Sequence, residues 1–275
     1  MKLGVIIALN DQIEAEMDQV VRLGLPTCQV NCWKLALLTP EMAARARAAA
    51  AERGLEISAL WCGWEGPAVW DQVDGPLTLG LVPVTYRHER LKMLMRGAEF
   101  AAWLGVKDMV THVGFIPENP NDPEYRSLVS ALRYLVKHCR GLGINFLFET
   151  GQETPVTILR AIEDIGLDNI GVNLDPANLI LYGKGNPVDS LDVFGRFVRG
   201  VHAKDWLYPT TGRALGEEVA LGQGKVDFPR LVAGLKRLGY QGALTIEREI
   251  SGPEQERDIR MARAMLEGLI LAAEG

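Results

Sequence analysis

Residues 144–175, INFLFETGQETPVTILRAIEDIGLDNIGVNLD, contain one complete strand–helix–strand unit. The predicted strand 145–149 ends at Glu149, a predicted helix follows at 155–165, and the next predicted strand, 170–175, ends at Asp175. Short, largely apolar runs that a helix connects are typical of parallel strands buried on both faces. This unit therefore predicts an α/β fold, and the rest of the chain repeats it.

The alternation of strand and helix occurs eight times. The strands are predicted at 3–9, 28–33, 57–62, 108–113, 145–149, 170–175, 198–203 and 243–247. Helices are predicted at 87–104, 124–140, 155–165, 187–196 and 228–238, and three more begin at Asp11-x-x-Glu14, at Thr39-Pro40 and at Ser251-x-x-Glu254. Asp-x-x-Glu and Ser-x-x-Glu are capping boxes, and Thr-Pro is a helix N-cap followed by a proline. Eight such units predict a closed (β/α)8 barrel that forms one domain over residues 1–275.

An open, doubly wound sheet is the alternative, but no Gly-rich dinucleotide turn follows the first strand. A recurring junction also supports regular units, because six predicted helices end in a glycine shortly before a strand begins. A glycine there favours a left-handed helix terminus. These glycines are Gly24, Gly54, Gly105, Gly143, Gly166 and Gly239.

The amino-acid composition argues against several classes of protein. The 275 residues are 48% hydrophobic and carry a net charge of -6 without a basic stripe, which argues against a nucleic-acid surface. No apolar stretch approaches the ~20 residues that span a bilayer. The four cysteines form no CxxC pair, which indicates free thiols in a reducing compartment. The N-terminal run MKLGVIIAL is interpreted as a first strand and not as a signal peptide. We therefore expect a soluble cytoplasmic protein.

Four residues at the ends of the last four predicted strands form the candidate metal site: Glu149, Asp175, His202 and Glu247. Successive gaps of 26, 27 and 45 residues separate them. Because parallel barrel strands end on one face, these side chains are expected to converge. Three carboxylates and one imidazole suit Mn²⁺ first, with Mg²⁺, Co²⁺ or Zn²⁺ as alternatives. Taken singly, each acid is equally well explained as a salt-bridge partner or a helix cap, and the DPAN that begins at Asp175 also suits a simple turn.

Four other candidates (Trp61, His112, Lys204 and Trp206) lie in or beside the long strand-to-helix loops 63–86, 114–123 and 204–226, on the face where barrel chemistry occurs, and two more (Glu153 and Asn178) follow the predicted strands 145–149 and 170–175. The alternatives are core packing for His112, lid-loop packing for Trp61 and Trp206, and a solvated acid for Glu153. For Arg87 and Arg90 a solvated helix face is predicted, with the binding of a phosphate or carboxylate as the alternative. The candidate substrate-binding residues are His112, Asn178, Lys204, Trp61, Trp206 and Glu153.

Several segments resemble the xylose-isomerase-like barrels, in the sugar phosphate isomerase/epimerase group that includes tagatose 3-epimerase and hydroxypyruvate isomerase. They are FET at 148–150, NLDPAN at 173–178, VHAKD at 201–205 and LGQGKVDFPRLVAGLKRLGYQGALTIERE at 221–249. The resemblance implies that Glu, Asp, His and Glu at the ends of strands five to eight bind a divalent metal. It further implies a small carbohydrate substrate and a homodimer or homotetramer.

The resemblance also implies a reaction: proton transfer by Glu149 and Glu247 through a metal-stabilised enediolate, which gives epimerisation or isomerisation. One position departs from the family. Many of its epimerases carry Asp-x-x-His on strand six, whereas this chain has Asp175-Pro-Ala-Asn178. A side-chain amide cannot take up a charge as an imidazole does, so the familiar ketose substrates are in doubt.

Three alternative functions are weighed at the level of sequence. A sugar or cyclitol dehydratase, or another lyase, would use the same proton abstraction but expel a substituent. A phosphodiesterase of the endonuclease IV type needs several metals and many histidines, whereas this chain has four histidines and a negative net charge. A non-catalytic role in a hetero-complex is a further reading.

Overall fold

A computed structural model describes residues 1–273 and shows a closed barrel of eight parallel strands. The barrel strands are β1 (Lys2–Ala8), β2 (Thr27–Cys32), β3 (Glu56–Cys62), β4 (Asp108–Thr111), β5 (Asn145–Glu149), β6 (Ile170–Leu174), β7 (Val198–Ala203) and β10 (Ala243–Ile246). Each strand pairs with its neighbour in the chain, and β1 closes the circle against β10. The predicted (β/α)8 barrel is therefore confirmed.

Helices surround the barrel, and their bounds are α1 (Ile13–Arg22), α2 (Pro40–Glu52), α3 (Gly75–Thr78), α4 (Val84–Leu104), α5 (Pro123–Gly141), α6 (Pro155–Ile165), α7 (Pro176–Leu181), α8 (Ser190–Phe194), α9 (Phe228–Arg237) and α10 (Pro253–Ala272). The main hydrophobic core lies between this ring and the strands. A small cluster of Ala59, Trp61, Val110 and Leu147 fills the inside of the barrel. Within residues 1–273, no helix is both long enough and apolar enough to cross a membrane.

Helix ends follow the sequence signals at most positions. All six junction glycines adopt positive φ, between 64° and 82°. Thr39 caps α2 by accepting a hydrogen bond from the N–H of Met42. The two predicted capping boxes are wrong: α1 begins after Gln12 and α10 after Gly252, neither with a side-chain cap. At α1 the reason is competition, because Glu14 accepts hydrogen bonds from Arg45 on α2.

The long loop after β3 is held in place by two arginines of α4. Arg90 donates hydrogen bonds to the carbonyls of Thr78, Gly80 and Pro67. Arg87 donates to the carbonyls of Leu81 and Val82. Both side chains are buried, so the predicted solvated face was wrong. The reason is that an arginine can satisfy several loop carbonyls at once.

The loop after β7 is also ordered. It forms a two-stranded antiparallel sheet from β8 (Asp205–Trp206) and β9 (Glu218–Val219). The carboxylate of Asp205 accepts hydrogen bonds from the backbone N–H groups of Gly222, Gly224 and Val226. This carboxylate therefore fixes the course of the glycine-containing segment, and the loops after β3 and β7 both border the end of the barrel where the strands terminate.

Candidate metal centre

The four predicted ligands meet at the carboxyl ends of the strands. Glu149 is the last residue of β5, His202 lies in β7, and Asp175 and Glu247 directly follow β6 and β10. One potential ligand atom from each side chain lies within 4.8 Å of all the others. Glu149, Asp175 and His202 are buried, and the side chain of Glu247 is 17% exposed. The barrel therefore brings together four groups that lie 98 residues apart in the sequence at their extremes.

His202 stands at the centre of this cluster. Its Nδ1 lies 2.9 Å from Oε1 of Glu149, 3.2 Å from Oε2 of Glu247 and 3.7 Å from Oδ2 of Asp175. Among the described residues, neither Oδ2 of Asp175 nor Oε2 of Glu247 has a hydrogen-bond partner. Buried carboxylate oxygens without a partner are costly, and a cation resolves that cost. The donor set therefore fits a divalent cation bound by all four residues.

Gln29 of β2 fixes the orientation of the imidazole. Its Oε1 lies 2.7 Å from Nε2 of His202, on the side of the ring that faces away from the carboxylates. An amide oxygen only accepts, so Nε2 donates its N–H to Gln29 and Nδ1 is the ring nitrogen that faces the carboxylates. Metal-binding histidines commonly donate their second N–H to such an acceptor. Sequence reasoning missed Gln29, since a polar residue inside an apolar strand gave no indication of its partner.

In the cluster, burial and the attraction between opposite charges shift the pKa values of the side chains in opposite directions. Burial alone would raise the pKa of Glu149, but the nearby imidazoles of His112 and His202 outweigh it and lower that pKa. Burial likewise would lower the pKa of Lys204, but Glu247 and Glu249 outweigh it, and the pKa lies well above the usual lysine value. Burial raises the pKa of Asp175. The site thus holds ionised groups only because opposite charges are close.

Three further side chains surround Glu149. The indole N–H of Trp61 donates to Oε2 of Glu149, and Nε2 of His112 lies 3.3 Å from the same oxygen. The amide Nδ2 of Asn178 lies 3.5 Å from Oε1. The backbone N–H of Asn178 donates to Oδ1 of Asp175, so DPAN is the start of α7 and not a simple turn. Asn178 therefore contacts one carboxylate oxygen of Glu149, whereas Trp61 and His112 contact the other.

A cavity of about 430 Å³ opens above the cluster. Of the predicted substrate-binding residues, it is lined by His112, Asn178, Lys204, Trp61 and Trp206, together with the acids Glu149 and Glu247. The cavity is also lined by residues that the sequence analysis did not propose as substrate-binding: Ile6, Asn31, Trp33, Trp70, Leu181, Tyr182, Leu215 and Glu249.

Glu153 lies elsewhere. Its carboxylate is completely buried, and it is not among the described residues that line the cavity. Burial raises its pKa to about 8. It is therefore neither the solvated acid of the alternative reading nor, in this arrangement, a group that faces the substrate cavity.

The fold and the site together define a class: a (β/α)8 barrel with a three-carboxylate, one-imidazole cluster at the carboxyl end of its strands. The sequence model of the xylose isomerase-like TIM barrel family matches residues 17–269. This chain therefore belongs to the xylose isomerase-like TIM barrel family.

Three known proteins to which this chain is similar are the following. A xylose isomerase domain protein from Planctomyces limnophilus is 35% identical, with a TM-score of 0.92 over 98% of this chain and 96% of that one. A D-tagatose 3-epimerase-like protein is 21% identical, with a TM-score of 0.76 over 100% and 98% of the two chains. An uncharacterized protein of Methanocaldococcus jannaschii is 28% identical over 152 residues, so the match spans 50% of this chain and about half the length of that curated relative.

Proposed function

We propose that this chain is a divalent-metal-dependent isomerase or epimerase that acts on a keto sugar. The observation that carries the proposal is the convergence of Glu149, Asp175, His202 and Glu247 on one point at the base of a cavity. Family membership and an epimerase-like structural neighbour support a carbohydrate-acting enzyme in general. The reaction and the metal dependence are our inference from the side chains.

Glu149, Asp175, His202 and Glu247 would hold the cation. When bound, a divalent cation supplies Lewis-acid chemistry: it polarises a substrate carbonyl and makes the adjacent C–H more acidic. Manganese is the metal we propose first, because oxygen-rich sites with one imidazole suit it.

Glu149 and Glu247 are the proposed acid and base. Both line the cavity and both lie within 3.2 Å of the same imidazole nitrogen, so a small substrate above the cluster can reach both. One carboxylate removes a proton from the carbon next to the carbonyl, and the other returns a proton. Return to the same carbon from the opposite face gives epimerisation, and return to the neighbouring carbon gives isomerisation. Trp61 and Asn178 hold the Glu149 carboxylate in position for this step.

The test is a product screen by NMR in D₂O with the purified protein and Mn²⁺, on free, phosphorylated and 3-keto sugars. We expect one solvent deuterium at the carbon next to the carbonyl, with the mass otherwise conserved. Loss of water or of another substituent would instead support the lyase alternative. Absence of exchange and of elimination on every substrate would refute the proposed function.

Glu149→Gln and Glu247→Gln are each expected to reduce the deuterium exchange rate by at least ~10³-fold, because each removes a proton-transfer group and a metal ligand. Glu56→Gln is a matched control, since that carboxylate is 56% exposed at the start of β3, at the opposite end of the barrel. Circular dichroism checks that the variants fold. Retention of most of the activity in both variants would contradict the assignment.

The family resemblance also implies a homodimer or homotetramer. That assembly stays a prediction, which multi-angle light scattering of the purified chain would test.

A further inference from the structure

One wall of the cavity is a continuous aromatic surface. The ring centroid of Trp33 lies 4.8 Å from the ring centroid of Trp61 and 6.3 Å from that of Trp70. Trp70 in turn lies 5.2 Å from the imidazole of His112. These separations are within the range of direct aromatic contact. The four rings therefore form one surface that runs from the metal-site residues outward.

The depth of these rings differs. Trp61 and His112 are buried beside Glu149, whereas Trp33 and Trp70 are 39% and 40% exposed at the rim. Large aromatic groups left open beside a cavity are unusual on a soluble protein and mark binding surfaces. The cavity volume of about 430 Å³ lies in the range of roughly 300–1,000 Å³ that drug-sized ligands occupy. The rim thus offers apolar contact area beyond the part of the cavity next to the carboxylates.

The charge of the cavity disfavours an anionic substrate. Three carboxylates line it (Glu149, Glu247 and Glu249), Asp175 belongs to the same metal cluster, and Lys204 is the one lysine or arginine among the described residues that line the cavity. These four carboxylates, counted as ionised together with Lys204 and a divalent cation, leave a net charge of -1. Lys204 is already paired, with Oε2 of Glu247 at 3.6 Å and with Glu249. A phosphate group carries roughly -1.5 to -2 at neutral pH, so it would meet a site of the same sign.

The rim also offers few polar groups to a second sugar ring. Of the polar side chains that line the cavity, Asn31 lies two residues before Trp33 in the sequence, and Glu249 is engaged with Lys204. Sugar hydroxyls that lose water without new partners are costly. A flat apolar ring loses little on leaving water and packs well on indole faces.

We propose that Trp33 and Trp70 form a subsite for a flat, apolar aglycone, so that the substrate is an uncharged aryl-type glycoside and not a sugar phosphate. This inference rests on the proposed function, since it places the sugar of the glycoside above the carboxylate cluster. Specificity then has two parts: Glu149 and its neighbours bind the sugar, and the tryptophans at the rim bind the group attached to it.

The test is binding, measured by calorimetry and tryptophan fluorescence on the Mn²⁺-loaded protein. The probes are phenyl and methyl β-glycosides of 3-ketoglucose, the same pair of glucose as unreactive counterparts, cellobiose and glucose 6-phosphate. We expect the phenyl glycosides to bind about tenfold more tightly than the methyl glycosides. Trp70→Ala and Trp33→Ala should each reduce that ratio towards one. Tyr134→Ala is the matched control, because that ring is 60% exposed on α5 and does not line the cavity.

Equal binding of phenyl and methyl glycosides, or binding of cellobiose or glucose 6-phosphate as tight as that of the phenyl glycosides, would overturn the inference. Absence of detectable phenyl glycoside binding would overturn it as well. The two proposals fail separately. Turnover of free keto sugars with no aryl preference removes the subsite and keeps the isomerase, whereas an aryl preference without proton exchange on any substrate removes the isomerase.

Discussion

At the scale of single residues, Gln29 shows how one neutral side chain controls a metal ligand. Its contact with Nε2 of His202 leaves Nδ1 free to face the carboxylates. Gln29→Met keeps the volume and removes the acceptor, so the imidazole can rotate or change tautomer. We expect Mn²⁺ affinity to fall about 10–100-fold, measured by competition with a chelator. Gln241→Met, an exposed position next to β10 at the opposite end of the barrel, is the control. Unchanged affinity in Gln29→Met would show that the contact does not hold the ring.

Glu153 gives a prediction about pH. Burial raises its pKa to about 8 from a usual value of 4.5. Between these two values the folded chain holds a proton that the unfolded chain releases, so this residue makes the protein less stable as the pH rises from 4.5 to 8. The loss is at most about 1.4 kcal/mol per pH unit.

Glu153→Gln removes this titration. The variant is expected to be more stable than the wild type at pH 8, with the advantage shrinking towards pH 4.5, as measured by urea unfolding across that range. Glu163→Gln, whose side chain is 58% exposed on α6, the helix that follows Glu153 in the sequence, should show no such trend. A stability difference between Glu153→Gln and the wild type that is constant with pH would argue against a raised pKa in the fold.

At the scale of structural elements, the loop after β3 depends on Arg90. This guanidinium donates to three loop carbonyls and lies over the rings of Trp64, at 5.2 Å, and Tyr86, at 4.7 Å. Burial lowers its pKa to about 10, so it stays charged at neutral pH. Arg90→Met leaves the buried carbonyl of Gly80 and the part-buried carbonyls of Thr78 and Pro67 without this donor, and an unsatisfied buried carbonyl costs about 1–3 kcal/mol.

We therefore expect Arg90→Met to lower the free energy of unfolding by about 2–4 kcal/mol and to open residues 63–83 to limited proteolysis. Because Trp70 lies in this segment, aryl glycoside binding should weaken as well. Arg96→Met, on the same helix with a guanidinium 39% exposed and paired with Glu99, is the matched control. Equal free energies of unfolding and equal cleavage rates for the two variants would show that contacts other than those of Arg90 hold the loop.

The elements could be predicted where a short sequence pattern is enough. Apolar runs that end in an acid located β5 and β6, and the glycines before the strands all adopt the left-handed conformation. The start of α7 was harder, since Asp175-Pro suits a turn and a helix cap equally. Contacts between distant segments were not predictable: Gln29 meets His202 from 173 residues away, and Arg90 meets Pro67 from 23 residues away. Short patterns carry no information about partners at such separations.

At the scale of the whole molecule, closure of the barrel brings side chains of like charge together. Glu149, Asp175 and Glu247 with Lys204 leave a charge of -3 + 1 = -2 in a largely buried cluster, which a divalent cation balances. Because the three carboxylates stand at the ends of β5, β6 and β10, their repulsion acts on three of the eight barrel strands at once. Binding of a cation to the folded chain should therefore stabilise the whole fold.

Thermal unfolding at rising Mn²⁺ concentration tests this coupling. At a concentration 100 times the Kd, the expected gain is about 2.7 kcal/mol, which for a chain of this size raises Tm by roughly 5–10 °C. Asp175→Asn tests metal binding without removing the helix cap. An asparagine oxygen can still cap α7 where Oδ1 of Asp175 does, but the negative charge is lost. That variant should keep a Tm near that of the chelated wild type and respond weakly to Mn²⁺. A wild-type Tm that is the same in chelator and in saturating Mn²⁺, Mg²⁺ or Co²⁺ would mean that the cluster is balanced by protons on its own carboxylates and not by a cation.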